Sequence, residues 1–485
     1  MNGQHRSRWE LRAAFARSLS LMYGREVPEY TTLVEVAEQV NADVLARDGA
    51  AAERLGSIDR VTAERHGAIR LGTPAEMRDV ARVFDAVGMS PVGFYDLRDA
   101  SSSSVPVVST AFRPTDRDEL ARNPFRVFTS LLTVDDERFF TPDVQAGLDE
   151  RLARRRLFGP ELLTLADRSV ADDGLPADDA DRFVALATAV FELSTEPVDR
   201  GWYSTLAAIS GVAADIGGVG STHINHLTPR VLDIDELYRR MTERGVTMID
   251  EIQGPPRWDG PDVLLRQTSF KALAEPRTFA EADGSLSTGA LRVRFEEVEA
   301  RGIALTPAGR ALYDELLLEV DRRLATGSGR RVEHARSVWV ESLPDNEDDL
   351  DRSGLGFFTY RTAAAEDMPR RTDPVGRTLD ALIADGTVAA DPIVYEDFLP
   401  RSAAGIFQSN LSDAGTRTGG DGGDIRDLAW MSGMLERVVA DPMDLYAGER
   451  TRSLHTLGEQ LGLDPTQLIR TDLNSYPSTA VKETI

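Results

Sequence analysis

The first part of the chain carries hydrophobic residues at helical spacing. Before the breaker-rich sequence Glu-Val-Pro-Glu-Tyr, these residues are Trp9, Leu11, Phe15, Leu19 and Met22. Recurrence every three to four residues is typical of an amphipathic helix, and a second such pattern runs from Leu33 to Arg47. We therefore predict an N-terminal helical segment over residues 1–60.

The pattern changes in residues 61–135. Glu64–Leu71 is typical of an extended segment, and Pro74–Val87 predicts a helix that begins after the N-cap residue Thr73. Three further strands are predicted at Val92–Leu97, Val105–Phe112 and Phe125–Leu132. The order in this block is strand, helix, strand, strand, strand, or βαβββ.

The same order returns about 160 residues later, in residues 211–300. A strand is predicted at Ile224–Val231, followed by a helix at Ile234–Thr242 after the cap Asp233. The remaining strands are predicted at Val246–Ile252, Val263–Leu273 and Ala290–Glu299. Two copies of one supersecondary unit indicate an internal repeat.

The remaining parts of the chain are predicted to be mostly helical. Residues 136–210 form a helical insertion between the two copies, and residues 301–485 form a helical extension that ends in a loop-rich C-terminal region. Two sheet-forming blocks with large helical insertions predict an α+β fold.

Composition narrows the class of protein. A chain of 485 residues exceeds the roughly 250–300 residues that one core supports, so several packed units are expected. The net charge of −25 disfavours nucleic acid and anionic membranes as partners, because its field repels phosphate. The chain has no cysteine, so a metal would be held by His, Asp or Glu. The polar N-terminus and short apolar runs predict neither a signal peptide nor a membrane span, so a cytoplasmic location is expected.

The first strands of the two copies share the pattern His-x-x-x-Arg. When the copies are aligned, His66–Arg70 falls on His226–Arg230. Residues four apart in a strand share a face and lie about 13 Å from each other. A metal held by the histidine would lie within reach of the arginine side chain, whose planar guanidinium binds carboxylates. This arrangement suits a small dianion that chelates the metal at one end.

A third ligand is expected from the last strand of the second copy. This strand offers Glu297 and, on the same face, Glu299 as the alternative, whereas Glu296 is expected to point away into solvent. The aligned position of the first copy is near Ser130. Two histidines and one carboxylate are the ligand set of non-haem Fe(II) oxygenases.

The stretch "HINHLTPR" contains a second histidine that competes with His226. Residues three apart in a regular strand point to opposite faces, so His223 and His226 are not expected to bind one metal together. We assign His226 to the metal because only it matches the repeat. His223 is then expected on the other face, in a supporting or structural role, and the role of Arg230 stays open.

Several separated motifs resemble one known family. They are "ERHGAIRLGT" (64–73), "HINHLTPRVLDID" (223–235), "LLRQTSFKAL" (264–273), "VEARGIALTPAGRALYDEL" (298–316) and "YEDFLPRSAAGIFQSNL" (395–411). Their order is similar to that of the 2-oxoadipate dioxygenase/decarboxylase family, also called 2-hydroxyglutarate synthase, of the vicinal oxygen chelate superfamily. The resemblance implies two βαβββ vicinal-oxygen-chelate modules that form a curved sheet around a metal site, with large helical insertions.

The resemblance also implies the cofactor and the site residues. The metal is Fe(II), held by His66, His226 and Glu297. Arg70 binds a substrate carboxylate, and Ser402 with its neighbouring backbone amide binds the distal carboxylate from a loop that closes over the substrate. Arg401 stands in this loop where the family more often has Val, which changes the side chain offered to the substrate.

The implied reaction converts 2-oxoadipate and O2 to 2-hydroxyglutarate and CO2, in lysine catabolism. The expected partners are thus a small 2-oxo diacid and O2, and the oligomeric state stays open. A ring-cleaving dioxygenase or a glyoxalase-like isomerase on the same scaffold is the alternative, although glyoxalase-type sites draw a carboxylate from both modules and Ser130 disfavours them. A non-catalytic binding module is a further alternative, and it would need no metal.

Overall fold

The computed structural model describes residues 5–98, 104–270, 275–291, 294, 296–363, 377–399 and 425–470. Within these ranges, no helix is long and apolar enough to cross a membrane. The described residues form an α+β fold of several sheets and many helices.

The strands are β1 His5–Ser7, β2 Arg65–Leu71, β3 Ser90–Asp96, β4 Val107–Arg113, β5 Arg126–Leu132, β6 Gly174–Pro176, β7 Val198–Asp199, β8 Ile224–Pro229, β9 Leu265–Ser269, β10 Glu275–Ala280, β11 Leu286–Leu291, β12 Glu297–Arg301, β13 Phe358–Thr362 and β14 Val388–Pro392. The first helices are α1 Arg8–Glu26, α2 Pro28–Asp48, α3 Ile58–Ala63, α4 Pro74–Ala86, α5 Arg117–Arg122, α6 Pro142–Arg154, α7 Pro160–Ala171, α8 Ala177–Val190 and α9 Arg200–Ala207. The later helices are α10 Gly211–Gly217, α11 Ile234–Glu243, α12 Pro307–Thr326, α13 Arg331–Ser342, α14 Glu347–Arg352, α15 Leu379–Ala384, α16 Leu428–Leu435 and α17 Pro442–Leu461.

The largest sheet has the strand order β3-β4-β5-β2-β8. Its first four members come from the first predicted block, whose elements in chain order are β2, α4, β3, β4, α5 and β5. This is the predicted order of strand, helix, strand, strand, strand with one additional short helix, α5, before the last strand. Thr73 caps α4 by accepting a hydrogen bond from the Glu76 backbone N–H, while the Glu76 side chain accepts from the Thr73 backbone in return. β2 lies between β5, to which it is parallel, and β8, to which it is antiparallel.

The second copy continues this sheet beyond β8. The backbone N–H of Val231 donates to Glu299 O at 2.8 Å, which makes β12 the neighbour of β8, and β12 pairs with β9. The strand predicted at Val246–Ile252 is wrong as a regular strand. Only single bridges occur in and beside this span, Met248 with Phe270 and Gln253 with Gln267. The two bridges are five residues apart on this segment but three apart on the partner, so extra residues interrupt the ladder.

A hairpin replaces part of the single strand predicted at Ala290–Glu299. β10 and β11 pair antiparallel around a turn in which Gly284, at φ 82°, donates to Glu281 O. β11 ends at Leu291, and β12 begins only at Glu297. The predicted span therefore crosses two strands that belong to different sheets.

The two faces of the large sheet differ in polarity. One face carries Ile69, Ile224 and Leu227, which pack in an apolar core together with residues of α1, α4, α7 and α8. The other face, called the inner face here, carries buried polar side chains from β2, β5, β8 and β12. Buried polar groups on one face of a sheet need partners there, so this face is the place to look for a site.

Candidate metal centre

Three side chains meet on the inner face of the sheet. His66 comes from β2, His226 from β8 and Glu297 from β12, and one ligand atom of each lies within 4.8 Å of those of the other two. Glu297 Oε2 is 3.5 Å from His66 Nε2 and 3.8 Å from His226 Nδ1. All three side chains are buried. The structure thus brings together the three residues that the sequence nominates as metal ligands.

Strand register explains why these residues meet. β2 and β8 are antiparallel neighbours in which Ala68 lies opposite His226 and His66 opposite Thr228, so both histidines face inward. The Thr228 hydroxyl lies 3.0 Å from His226 Nδ1 and 3.5 Å from Glu297 Oε2. It therefore links the histidine of β8 to the carboxylate of β12.

The electrostatics keep His226 in its metal-binding form, whereas they favour protonation of Glu297, whose proton a bound cation would displace. Burial, together with the charge of His66, lowers the pKa of His226 well below its usual value, so this imidazole is neutral and keeps a lone pair for a metal. Burial raises the pKa of Glu297. Its Oε1 is buried and has no hydrogen-bond partner among the described residues, so a cation at the cluster would satisfy it. Two imidazoles and one carboxylate with such an orphaned oxygen fit a divalent transition metal.

Glu299, the alternative ligand, lies on the far side of His66. Its Oε2 is 2.8 Å from His66 Nδ1, and Arg301 holds the carboxylate with contacts of 2.8 and 2.9 Å. Burial alone would lower the pKa of His66, but the carboxylates of Glu299 and Glu297 together outweigh it and raise this pKa. Glu297 belongs to the cluster, and Glu299 lies behind its histidine.

The prediction that His223 lies on the opposite face is wrong. Ala68 pairs with His226 and Ile69 with Ile224, so β8 contains a bulge with Asn225 as its extra residue. A bulge breaks the alternation of side chains, and both Asn225 and His223 consequently face inward. His223 Nε2 lies 3.1 Å from Asn225 Nδ2. Burial lowers the pKa of His223 to about 4, so its imidazole is neutral.

Arg70 lies on the inner face, toward the other end of β2 from His66. Its Nη1 forms a buried ion pair with Asp215 Oδ2, and its backbone carbonyl accepts a hydrogen bond from the Thr222 hydroxyl at 2.8 Å. Asp215 also accepts from Asn225 Nδ2 at 3.0 Å and lies 3.5 Å from His223 Nε2. Arg70, Asp215, Asn225 and His223 therefore form one polar group beside the metal cluster.

Sequence reasoning missed Asp215. It lies in α10, whose sequence Gly-Val-Ala-Ala-Asp-Ile-Gly is otherwise apolar. A single acid inside an apolar helix is costly to bury without a partner, and this contrast was the available signal. Ser130, the counterpart of Glu297 in the first copy, pairs with Ser109 at 2.9 Å and lies beside Arg70 in the β2–β5 register.

Arg230 lies at the opposite end of the site from Arg70. It donates to Glu64 Oε2 at 2.9 Å and to Leu55 O at 2.8 Å. Glu64 in turn contacts Arg126 at 2.6 Å and Arg301 at 3.2 Å. Burial alone would raise the pKa of Glu64, but Arg126 and the other guanidinium groups around it lower this pKa to about 2. The two arginines of the repeat thus have different partners, and Arg230 belongs to a buried charge network.

The segment Tyr395–Leu399 borders the cluster. The Phe398 ring lies edge-on to His66 with 5.0 Å between ring centroids, and Arg301 Nη1 donates to Tyr395 O at 2.9 Å and to Asp397 O at 3.0 Å. The predicted substrate residues Arg401 and Ser402, which follow this segment, lie outside the described residues.

Glu296 is buried, so the prediction that it faces solvent is wrong. Burial raises its pKa well above the usual value. The residue does point away from Glu297 in the alternation of the chain, but helix α1 covers that face of the sheet. The expectation that Glu296 faces solvent assumed that other elements pack on only one face of the sheet.

The chain is similar over most of its length to proteins of one family. Residues 15–410 match the family model described as 2-oxoadipate dioxygenase/decarboxylase. A 2-oxoadipate dioxygenase/decarboxylase of Mycobacterium tuberculosis is 55% identical over 439 residues, which cover 90% of this chain and 95% of that protein. The protein of the same name from Escherichia coli is 40% identical over 455 residues, covering 93% and 98%.

A solved structure shares the fold. The crystal structure of the hydroxyglutarate synthase from Pseudomonas putida, in complex with 2-oxoadipate, superposes with a TM-score of 0.80 at 38% sequence identity. The match covers 95% of this chain and 99% of that chain. Both the sequence and the structural similarity therefore extend across the sheet that carries the candidate metal centre.

Proposed function

Because the chain belongs to the 2-oxoadipate dioxygenase/decarboxylase family, we propose that it is an Fe(II)-dependent enzyme that converts 2-oxoadipate and O2 to 2-hydroxyglutarate and CO2. The observation that carries this proposal is the buried cluster of His66, His226 and Glu297. Fe(II) bound there would supply coordination of the 2-oxo acid and activation of O2. The metal ligands and the other site residues are part of the proposal.

The substrate follows from the family and from the charges on the inner face. A relative has been solved with 2-oxoadipate bound. A dianion of this kind needs a cationic group beyond the metal, and Arg70 lies on the same face of β2 as His66. We assign Arg70 to a substrate carboxylate, with Asp215 holding the guanidinium in place. We also assign Ser402 with its neighbouring backbone amide, and Arg401, to the proposed carboxylate site.

The burial of the cluster limits the access of water to a bound substrate. His66, Glu297 and Phe398 are almost fully buried, so a substrate bound at the cluster would be shielded from solvent on this side. Phe398 packs on His66 and Phe128, with 5.0 Å between ring centroids in each case. An apolar wall of this kind strengthens the interactions of charged groups within the site and limits side reactions with water.

The fold that we propose is more specific than the α+β class of the described elements. We propose that β2 to β5 with α4, and β8, β9 and β12 with α11, are two vicinal-oxygen-chelate modules joined edge to edge between β2 and β8. The support is the strand order on either side of that junction. The domain boundaries predicted from the sequence, the place in lysine degradation and the cytoplasmic location stay predictions.

Oxygen uptake tests the proposal. Protein loaded with Fe(II) is supplied with 2-oxoadipate, 2-oxoglutarate or an aromatic 2-oxo acid, while O2 and CO2 are followed and the product is identified. We expect the highest kcat/KM with 2-oxoadipate, equal amounts of O2 consumed and CO2 released, and 2-hydroxyglutarate as product. Equal or better turnover of 2-oxoglutarate or the aromatic acid would refute the substrate, and conversion without O2 uptake would favour a glyoxalase-like isomerase.

Matched histidine variants serve as controls. His226→Ala is expected to be inactive, whereas His455→Ala changes an exposed histidine of α17 and is expected to keep wild-type activity. Protein purified without O2 and found to lack stoichiometric metal would refute the enzyme and favour a non-catalytic binding module.

A further inference from the structure

The imidazole of His66 lies between two carboxylates of one strand. Its Nε2 is 3.5 Å from Glu297 Oε2, and its Nδ1 is 2.8 Å from Glu299 Oε2. Alternate residues of a strand share a face and lie about 6.6 Å apart, so β12 presents one carboxylate to each ring nitrogen. A neutral imidazole has one N–H, so a metal at Nε2 requires the proton to be on Nδ1, which faces Glu299.

Glu299 is itself held in one orientation. Arg301 Nε and Nη2 contact its two oxygens at 2.8 and 2.9 Å, in the bidentate geometry that aligns a guanidinium with a carboxylate. Both side chains are fully buried. The carboxylate therefore has a fixed direction, with one oxygen 2.8 Å from Nδ1 of His66.

Arg301 also ties the cluster to the segment Tyr395–Leu399. Its Nη1 donates to the backbone carbonyls of Tyr395 and Asp397, and its guanidinium carbon lies 5.7 Å from the centre of the Phe398 ring. Phe398 also packs edge-on against His66. Arg301 thus contacts both Glu299 and the segment of Phe398, the two groups that lie next to the His66 ring.

We propose that Glu299 is a positioning residue of the metal centre: it accepts the Nδ1 proton of His66 and, held by Arg301, directs Nε2 toward the metal. The inference rests on the proposed metal centre and deepens it, because it assigns Glu299 a role through His66 instead of a place among the ligands. Carboxylates that accept from metal-bound histidines fix the ring orientation, and their loss commonly weakens metal binding by about tenfold to a hundredfold.

Metal affinity tests the inference apart from turnover. Wild-type protein, Glu299→Gln and Asp351→Asn are titrated with Co(II) without O2, in competition with a chelator. Asp351 is the matched control, because it is also buried and held by an arginine, with Arg470 contacts of 2.7 and 2.9 Å, but its other partner is Tyr360. We expect Glu299→Gln to bind Co(II) about tenfold to a hundredfold more weakly, and Asp351→Asn to bind it like wild type.

The outcomes separate the inference from the proposed function. Wild-type affinity in Glu299→Gln would overturn the positioning role alone, whereas failure of wild-type protein to bind Co(II) would overturn the metal centre and the role with it. A second measurement needs no variant: nitrogen-15 NMR of the histidines in Zn(II)-bound wild-type protein. We expect the His66 proton on Nδ1, and its absence from Nδ1 would overturn the inference even where Glu299→Gln does not fold.

Discussion

Arg70 and Asp215 form an ion pair on the inner face of the sheet, with both side chains almost completely buried. A buried carboxylate beside a buried guanidinium fixes where that guanidinium points, at the cost of desolvating both groups. Asp215 also accepts a hydrogen bond from Asn225, which comes from the bulge next to His226. Asp215 and Asn225 thereby connect Arg70, the proposed carboxylate-binding residue, to the part of β8 that carries His226, a proposed metal ligand.

This relationship predicts that Arg70 controls substrate affinity and not metal binding. Arg70→Ala is expected to raise KM for 2-oxoadipate by about tenfold to a hundredfold, since a hydrogen bond to a charged group contributes about 1.5–3 kcal/mol. Steady-state O2 uptake measures KM, and product analysis shows whether turnover becomes uncoupled from O2 consumption. Arg154→Ala removes an exposed arginine of α6 and is the control with unchanged KM. An unchanged KM in Arg70→Ala would contradict the assignment.

The ligand cluster predicts a sharp difference between the two histidines of "HINHLTPR". His226→Ala and Glu297→Gln are each expected to lose stoichiometric metal, because each removes one of the three proposed protein ligands. His223→Gln is expected to keep its metal, because His223 contacts Asp215 and Asn225. Elemental analysis of protein reconstituted without O2 measures the metal content. Stoichiometric metal in His226→Ala would place the metal elsewhere.

Alternation along strands made much of the site predictable. His66 and Arg70 share a face of β2, and Glu297 and Glu299 share a face of β12, because both strands are regular over these residues. The internal repeat supplied what periodicity alone cannot: it indicated that β2 and β8 carry equivalent histidines. Strand period and repeat register together therefore indicated the two histidines and left Glu297 and Glu299 as alternatives, and the family resemblance implied Glu297.

The parts that sequence missed depend on distant contacts. The bulge at Asn225 places His223 on the inner face, and it is stabilised from α1, where the Tyr23 hydroxyl donates to Asn225 O at 3.2 Å. A contact between residues so far apart in the chain leaves no local pattern. Asp215 and Glu296 were missed for the same reason, since their burial is set by elements that pack on them from elsewhere in the chain.

Loss of the Tyr23 hydroxyl is expected to weaken both the fold and the metal site. Tyr23→Phe leaves the Asn225 carbonyl without this donor, and an unsatisfied buried group costs about 1–3 kcal/mol. Urea denaturation measures the free energy of unfolding, and Co(II) titration measures metal affinity. Tyr238→Phe is the matched control, because its hydroxyl donates to the Ile249 carbonyl at 2.9 Å. Both variants should be less stable, but only Tyr23→Phe should bind metal more weakly, and equal metal affinities would show that the bulge does not position His226.

The buried charge network predicts a loss of stability in acid. The pKa of Glu64 is about 2 in the folded protein against an ordinary value of 4.5, because Arg126 and its neighbouring arginines outweigh the effect of burial. A carboxylate with a lowered pKa contributes stability that is complete above its unfolded pKa and is lost as pH falls toward the folded one. The free energy of unfolding should therefore decrease as pH falls from 4.5 to about 2. Glu64→Gln should be less stable at neutral pH, by about 3–5 kcal/mol, because Arg126 and Arg230 lose their partner.

Glu236, a surface carboxylate with a similarly lowered pKa, allows the effect of burial on stability to be distinguished from the effect of pairing with arginine. The pKa of Glu236 is also lowered to about 2, by hydrogen bonds from Arg239 and Arg240, but this side chain is solvated on α11. At about 1 M salt the screening length shrinks to roughly 3 Å, which weakens exposed pairs far more than buried ones. Denaturation curves against pH at low and high salt, for wild type, Glu64→Gln and Glu236→Gln, measure the difference. The decrease in the free energy of unfolding at acid pH that is due to Glu64 should persist in high salt. The decrease that is due to Glu236 should become smaller in high salt. A Glu64 contribution that disappears in salt would mean that water reaches the network.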